Sequence, residues 1–254
     1  MEITPADSTA FRNAIEALKE FLPQARLHIN SAGLKINGMD VSHVGFVDYL
    51  LSAEDCTEIK VPSPTVIGIN MAVLARTLNS VGSGDKLTLN LSKAQDRLVI
   101  SIASDRMSKK AVYDVPLMDI NEADLDLPDL TYPADVKVKT ADVASVIKEV
   151  SHFGDAVTLQ LDEEGFHIST EGDAGKVRQT LENTDDRDMA LTEDSVAATF
   201  GTRYVTTIMK AGAPLSSTMQ LEFDSEQPLR ASFRFGKTSH FVAYLAPRLS
   251  SDDS

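Results

Sequence analysis

Apolar residues recur at helical spacing in four separate stretches of the chain. Each stretch is followed by two runs in which apolar and polar residues alternate. The first helical stretch is Ser8–Leu22, with Phe11, Ile15, Leu18 and Leu22 on one face. The second is Asn70–Val81, with Met71, Leu74, Leu78 and Val81. The third, Ala141–Ser151, aligns Val143, Ile147 and Val150; the fourth, Thr202–Ala211, aligns Tyr204, Val205, Ile208 and Ala211. The alternating runs read RLHINSAGLKING, KLTLNLSKAQDRLVISI, AVTLQLDEEGFHIST and TMQLEFDSEQPLRASF, and a polar turn divides each into two strands. Their first strands begin near residues 26, 87, 156 and 218, about 61, 69 and 62 residues apart. A spacing this regular predicts one supersecondary unit repeated four times. The longer middle interval contains Met118–Pro133, MDINEADLDLPDLTYP, which is acidic, holds two prolines and has no period. It predicts a connector between two similar halves. The expected domains are 1–117 and 134–254, joined by 118–133. The expected fold class is α+β: two homologous domains, each with two helix-plus-antiparallel-sheet repeats. In each domain the helices lie on one face of the sheet, and their outer faces are left to solvent or a ligand.

The chain has 254 residues and is 43% apolar, enough for a packed core in each half. No apolar run approaches the roughly 20 residues of a membrane span, so no membrane partner is expected. The opening MEITPADSTAFRNAIEALKE lacks the basic start and apolar centre of a secretory signal. Cys56 is the single cysteine, which excludes an intrachain disulfide and a multi-cysteine zinc site and fits a reduced, intracellular setting. The formal charge of −14, taken as an average, argues against a nucleic-acid partner. The placement of the charges changes that picture. The bases of the helical stretches, Arg12, Lys19, Arg76, Lys148, Arg203 and Lys210, fall mostly off the apolar stripes. Arg12/Lys19 and Arg203/Lys210 are i, i+7 pairs, about 20° from alignment on a helix. Any one of them is accounted for as a solvated face, and Glu16 intervenes between Arg12 and Lys19. A base on the open face in all four repeats favours a shared electropositive surface.

The usual signatures of catalysis fail on inspection. GDAGKV at Gly172–Val177 lacks the earlier glycine and the following Ser/Thr of a phosphate loop. DINEADLDLPDL lacks the central glycine and spacing of a calcium loop. The five histidines are scattered, and there is no Gly-x-Ser-x-Gly elbow. No metal or cofactor is expected. GMDVSHV, at Gly38–Val44, does bring Asp40, Ser42 and His43 close along the chain. That leaves an enzyme as a reading from a different class. Triads are assembled in space, usually from distant segments, so a turn with capping hydrogen bonds is the favoured reading.

Five longer segments, INGMDVSHVGFVDYLL, PLMDINEADLDLPDLTYP, VSHFGDAVTLQ, KAGAPLSSTMQLEF and YLAPRL, are distributed over nearly the whole chain. Through them the chain resembles the proliferating cell nuclear antigen family, the replication sliding clamps of eukaryotes and archaea. The resemblance implies a DNA clamp fold: a head-to-tail homotrimeric ring with helices lining the hole and sheets outside. It implies a non-enzymatic processivity factor whose six helix bases face double-stranded DNA. Where relatives often carry further lysines this chain has Asn13 and Asn79, which makes the inner surface less basic. A checkpoint-type heterotrimeric clamp is the alternative implied by the same fold. The implied partners are DNA polymerase, a clamp loader, and replication and repair proteins bearing a Gln-x-x-aliphatic-x-x-aromatic-aromatic peptide. The peptide pocket implied for them comprises Met39, His43, Val44, Leu125, Leu127, Pro128, Pro228, Tyr244, Leu245, Ala246 and Pro247. The implied subunit contact pairs Lys109 and Tyr113, in Lys109–Val115, with Gly175, Lys176, Val177 and Arg178 of a neighbour. A nuclear location follows for a eukaryotic source and a cytoplasmic one for an archaeal source. Glu163 occupies the position of a modifiable lysine in eukaryotic relatives, which argues against ubiquitin- or SUMO-type control there.

Overall fold

The computed structural model describes residues 1–121 and 130–248. The chain divides into two compact units. The first comprises Met1–Val41, the stretch from Val47 into the connector, and Arg234–Phe241. The second comprises Ser42–Phe46, the stretch from the connector to Phe233, and the chain from Val242 onward. Four copies of a strand, a helix and three strands follow one another along the chain, two falling mainly in each unit, as the repeat in the sequence requires.

In the first unit the first copy is β1 (Glu2–Pro5), α1 (Ser8–Leu18), β2 (Gln24–Asn30), β3 (Gly33–Met39) and β4 (Gly45–Ser52). A short β5 (Cys56–Lys60) follows. The second copy is β6 (Thr65–Asn70), α2 (Met71–Leu78), β7 (Lys86–Leu91), β8 (Arg97–Ser104) and β9 (Lys109–Pro116). The second unit repeats the plan. Its first copy is β10 (Ala134–Lys139), α3 (Thr140–Val150), β11 (Ala156–Asp162), β12 (Gly165–Gly172) and β13 (Gly175–Leu181), with β14 (Asp188–Leu191) appended. Its second is β15 (Ser195–Gly201), α4 (Thr202–Gly212), β16 (Thr218–Phe223), β17 (Leu229–Phe235) and β18 (Ser239–Leu245).

The opening strand of each copy leaves its own hairpin and joins the other copy's. β1 pairs with β7, placing Ile3 opposite Leu89, and β6 pairs with β2, placing Asn70 opposite Gln24. In the second unit β10 pairs with β16 and β15 with β11. The first unit therefore holds strand runs β5-β1-β7-β8-β9 and β6-β2-β3-β4; the second holds β13-β12-β11-β15 and β14-β10-β16-β17. Half a unit would leave an opening strand without its partner, so the two-copy unit is the smallest one that satisfies these backbones.

All four predicted helices form, and their apolar stripes are buried against the sheets. Phe11, Ile15 and Leu18 of α1, Val143, Ile147 and Val150 of α3, and Val205 and Ile208 of α4 are each at most 2% exposed. The first helix is shorter than its pattern. It ends at Leu18, and the amides of Phe21 and Leu22 both turn back to the Leu18 carbonyl ahead of Pro23. The proline disfavours helical backbone at Leu22, so the apolar period outlasts the helix by one turn. Close packing also sets Gly212, at the end of α4, where a Cβ would lie 2.1 Å from the Phe233 ring of β17.

Candidate functional site

In the first unit α1 packs beside α2, and in the second α3 packs beside α4. One face of each pair is committed to the core, so the other carries the polar positions. Arg76, Lys148, Arg203 and Lys210 are exposed there. Arg76, Lys148 and Lys210 each stand in the last turn of their helix, where the helix dipole favours a cation. Arg12 and Lys19 are half-buried and already engaged. Arg12 Nη1 donates to Val81 O at 2.6 Å, and its Nε and Nη2 donate to Asn13 Oδ1 at 3.3 and 3.0 Å. That guanidinium ties α1 to the turn after α2. Lys19 pairs with Glu16 and lies 3.9 Å from Glu20. The periodicity finds all six bases but does not separate the four exposed ones from the two that are engaged. Asn13 and the Val81 carbonyl gave no sign of being Arg12 partners, because one is a polar helix residue and the other a backbone atom.

β9 and β13 each end a sheet. Along β9, Val112 is 64% exposed, while the half-buried Tyr113 donates its hydroxyl to Ser80 Oγ at 3.1 Å, linking the edge to the end of α2. On β13, Lys176 lies 3.3 Å from Glu171, and Arg178 lies 3.8 Å from Asp162. Both bases thus have an acidic partner in the adjoining hairpin of the same chain. Gly175 adopts φ 115° at the β12–β13 turn, with Val177 half-buried beyond it. Behind that edge, the His167 side chain of β12 is almost fully buried. Its Nε2 stands 2.7 Å from Asp162 Oδ1 and its Nδ1 stands 2.8 Å from Thr180 Oγ1 of β13. The bond from His167, aided by the Glu164 amide and Arg178, holds the Asp162 carboxyl below the usual carboxylate range. Glu163 is exposed at the tip of the same hairpin.

Gly38 and Met39 close β3, and Asp40–Val44 form the turn to β4. Asp40 is buried, Ser42 and His43 are exposed, and His43 adopts a left-handed φ of 56°. A residue held in that conformation at an exposed tip is turn chemistry. Met39 ends β3, half-buried, in the first unit. His43 and Val44 belong to the second, where Val44 O accepts the Ala246 amide at 2.9 Å. Phe46 there packs on Tyr244, with ring centres 6.1 Å apart. This brings Val44 together with Tyr244–Pro247, of which Tyr244 and Pro247 are half-buried, Leu245 buried and Ala246 exposed. Pro228 is half-buried before β17. Leu125, Leu127 and Pro128 lie outside the described residues. Burial and the nearby Asp55 push the Cys56 thiol up to about 11, so it stays protonated at neutral pH.

Comparison with known proteins bears on the family and the fold. The family model described as proliferating cell nuclear antigen, N-terminal domain, matches residues 1–126. The C-terminal domain model of that family matches residues 126–248. Among solved structures, the chain is similar to a crystal structure of proliferating cellular nuclear antigen from Entamoeba histolytica. That likeness has a TM-score of 0.90 at 23% identity, covering 98% of each chain.

Proposed function

Because this chain belongs to the proliferating cell nuclear antigen family of DNA sliding clamps, we propose that three copies close head to tail into a ring around duplex DNA. The ring tethers DNA polymerase and other replication and repair proteins, and a clamp loader opens it. The observation that carries this reading is that β9 and β13, two of the strands that end a sheet, present different edges on one chain. Unpaired strand edges need covering, and two different edges on one chain make a heterologous contact that closes if the rotation is right.

The exposed bases Arg76, Lys148, Arg203 and Lys210 support the rest. Contacts to phosphate carry little sequence information, which suits a protein that holds DNA without reading it. A closed ring replaces affinity with topology, so few bases are enough on an acidic chain. Partner peptides dock on Met39, His43, Val44, the connector with Leu125, Leu127 and Pro128, Pro228, and Tyr244–Pro247. Their aromatic residues supply most of the binding energy. The chain acts without catalysis of its own, in the nucleus of a eukaryotic source.

Measuring the solution mass with and without circular duplex DNA tests this reading. A stable trimer that stays on circular DNA and slides off when the circle is cut supports the ring. A chain that remains monomeric at micromolar concentration, and assembles only with other chains, points to the hetero-ring instead.

A further inference from the structure

In each unit the chain leaves its last strand and is stitched to the same place. In the first, β9 ends at Pro116 and the chain passes into the connector. The Leu117 amide donates to Asp96 O and the Met118 amide to Gly68 O, both at 3.0 Å. Residues 117 and 118 thus run from the β7–β8 turn to β6, where Gly68 and Met118 form an isolated antiparallel bridge. In the second unit β18 ends at Leu245, and the Arg248 amide donates to Thr199 O of β15 at 2.7 Å. Gly68 stands two residues before Asn70, the N-cap of α2, and Thr199 two residues before Gly201, the N-cap of α4. The same bond at the same register, under different side chains, is a property of the repeated fold.

The first unit differs in needing a glycine there. A Cβ at residue 68 would lie 2.2 Å from Met118 O and 2.9 Å from Ile120 Cγ1. Neither distance is tolerable, and the nearer atom is backbone, which cannot rotate aside. The requirement is one of room, since Gly68 is not among the positive-φ glycines. The pairing of β6 with β2, where Gly68 faces Arg26, uses the other edge of the strand. A side chain at 68 therefore acts first on the connector. Beside this contact lies an open groove of about 600 Å³ whose walls include Arg26, Val66, Leu91, Asp96 and Met118, giving a displaced connector space to move.

We propose that Gly68 is a positioning residue for partner binding. By letting Met118 and Ile120 lie flat on β6 it sets where the connector starts, and thereby the affinity for partner peptides, which it does not touch. This rests on the docking role of the connector proposed above. Segments ordered before binding cost less to order during it, so loosening the start of the connector raises that cost.

The test uses the full chain and a synthetic fluorescent peptide of the Gln-x-x-aliphatic-x-x-aromatic-aromatic type. Gly68→Ala removes the room and Met118→Pro removes the donated N–H; Met118→Leu keeps both. The expected result is peptide binding about 5- to 10-fold weaker for the first two variants and unchanged for Met118→Leu. Solution mass should stay at the wild-type value throughout, and both variants should remain folded at the assay temperature, with the thermal midpoint lowered only by the lost Met118–Gly68 bond. If Gly68→Ala and Met118→Pro bind as wild type does while Met39→Ala binds weakly, the positioning role is overturned and the docking surface stands. If wild type itself does not bind the peptide, both fall. A binding loss that appears only with unfolding at the assay temperature or with a lost oligomer in both variants makes the contact merely structural and overturns the proposal. Should Gly68→Ala fail to fold, Met118→Pro alone decides.

Discussion

Asp55 receives Ser239 twice, from the hydroxyl at 2.6 Å and from the amide at 3.0 Å, although 184 residues separate them in the chain. The amides of Lys237 and Thr238 donate to the same carboxylate at 2.6 and 3.1 Å. A Cβ on Gly236, which has φ 60°, would collide with that carboxylate. All these residues belong to the first unit, so one acid fixes the returning segment Arg234–Phe241 into it. Burial pushes the Asp55 carboxyl upward, but the bonds from Ser239, Lys237 and Thr238 outweigh it and hold it below the usual range.

Asp55→Asn turns one acceptor oxygen into a donor facing donors. It should destabilise the fold by about 1–3 kcal/mol, read as a lower denaturant midpoint. The pH dependence has a definite sign. A depressed folded pKa contributes stability that is complete above the unfolded value, about 4, and is lost as pH falls through the lower folded value. Wild type should therefore lose more stability than Asp55→Asn on acidification below about pH 4. Parallel acid curves would remove Asp55 from this account.

Arg12 and the exposed bases should separate by readout. Arg12→Ala removes the bond to Val81 O and should cost about 1 kcal/mol of folding stability. Neutralising Arg76, Lys148 and Lys210 together should change stability by no more than about 0.5 kcal/mol per site. The same triple change should weaken DNA retention and flatten its salt dependence by ~0.9 in logarithmic slope for each phosphate that is no longer neutralised. A DNA response confined to Arg12→Ala would move the DNA surface elsewhere.

Tyr113 offers two graded changes at the β9 edge. Tyr113→Phe loses only the bond to Ser80 Oγ and should leave the ring assembled. Tyr113→Ala also removes the aromatic packing area and should shift the trimer toward monomer, visible by sedimentation at nanomolar concentration. Equal assembly of both variants at high dilution would exclude Tyr113 from the subunit contact.

His167, with both ring nitrogens engaged inside the sheet, should act as one unit with Asp162. His167→Ala should cost about 1–3 kcal/mol, because it leaves Thr180 Oγ1 and Asp162 Oδ1 short of a partner. Asp162→Asn should cost less once His167 is gone, so a double-mutant cycle should show coupling of more than about 0.5 kcal/mol. Additive costs would mean that the 2.7 Å approach of His167 to Asp162 contributes little.

The helices and hairpins were legible because their signal is local. Phe11, Ile15 and Leu18 repeat at helical spacing and are buried together, and Leu27, Ile29, Leu34 and Ile36 alternate and are buried likewise. The opening strands β1, β6, β10 and β15 were missed. They run only 4–7 residues, and their partners lie in another repeat, so nothing next to them announces the pairing. The candidate surfaces divide in the same way. Repetition of a base on an open helix face marked Arg76, Lys148, Arg203 and Lys210. Only packing showed that Arg12 is bound to Val81 and Lys19 to Glu16.

The sequence by itself determined the repeat, the two-unit organisation, the α+β class and the family, because period and motif are properties of neighbours along a chain. Tertiary structure alone decided which hairpin each opening strand joins and that Asp55 holds a turn 184 residues away. It also decided that residue 68 has no room for a side chain. These depend on which atoms meet in space: a hydrogen bond or a 2.2 Å clash has no counterpart in the spacing of residues.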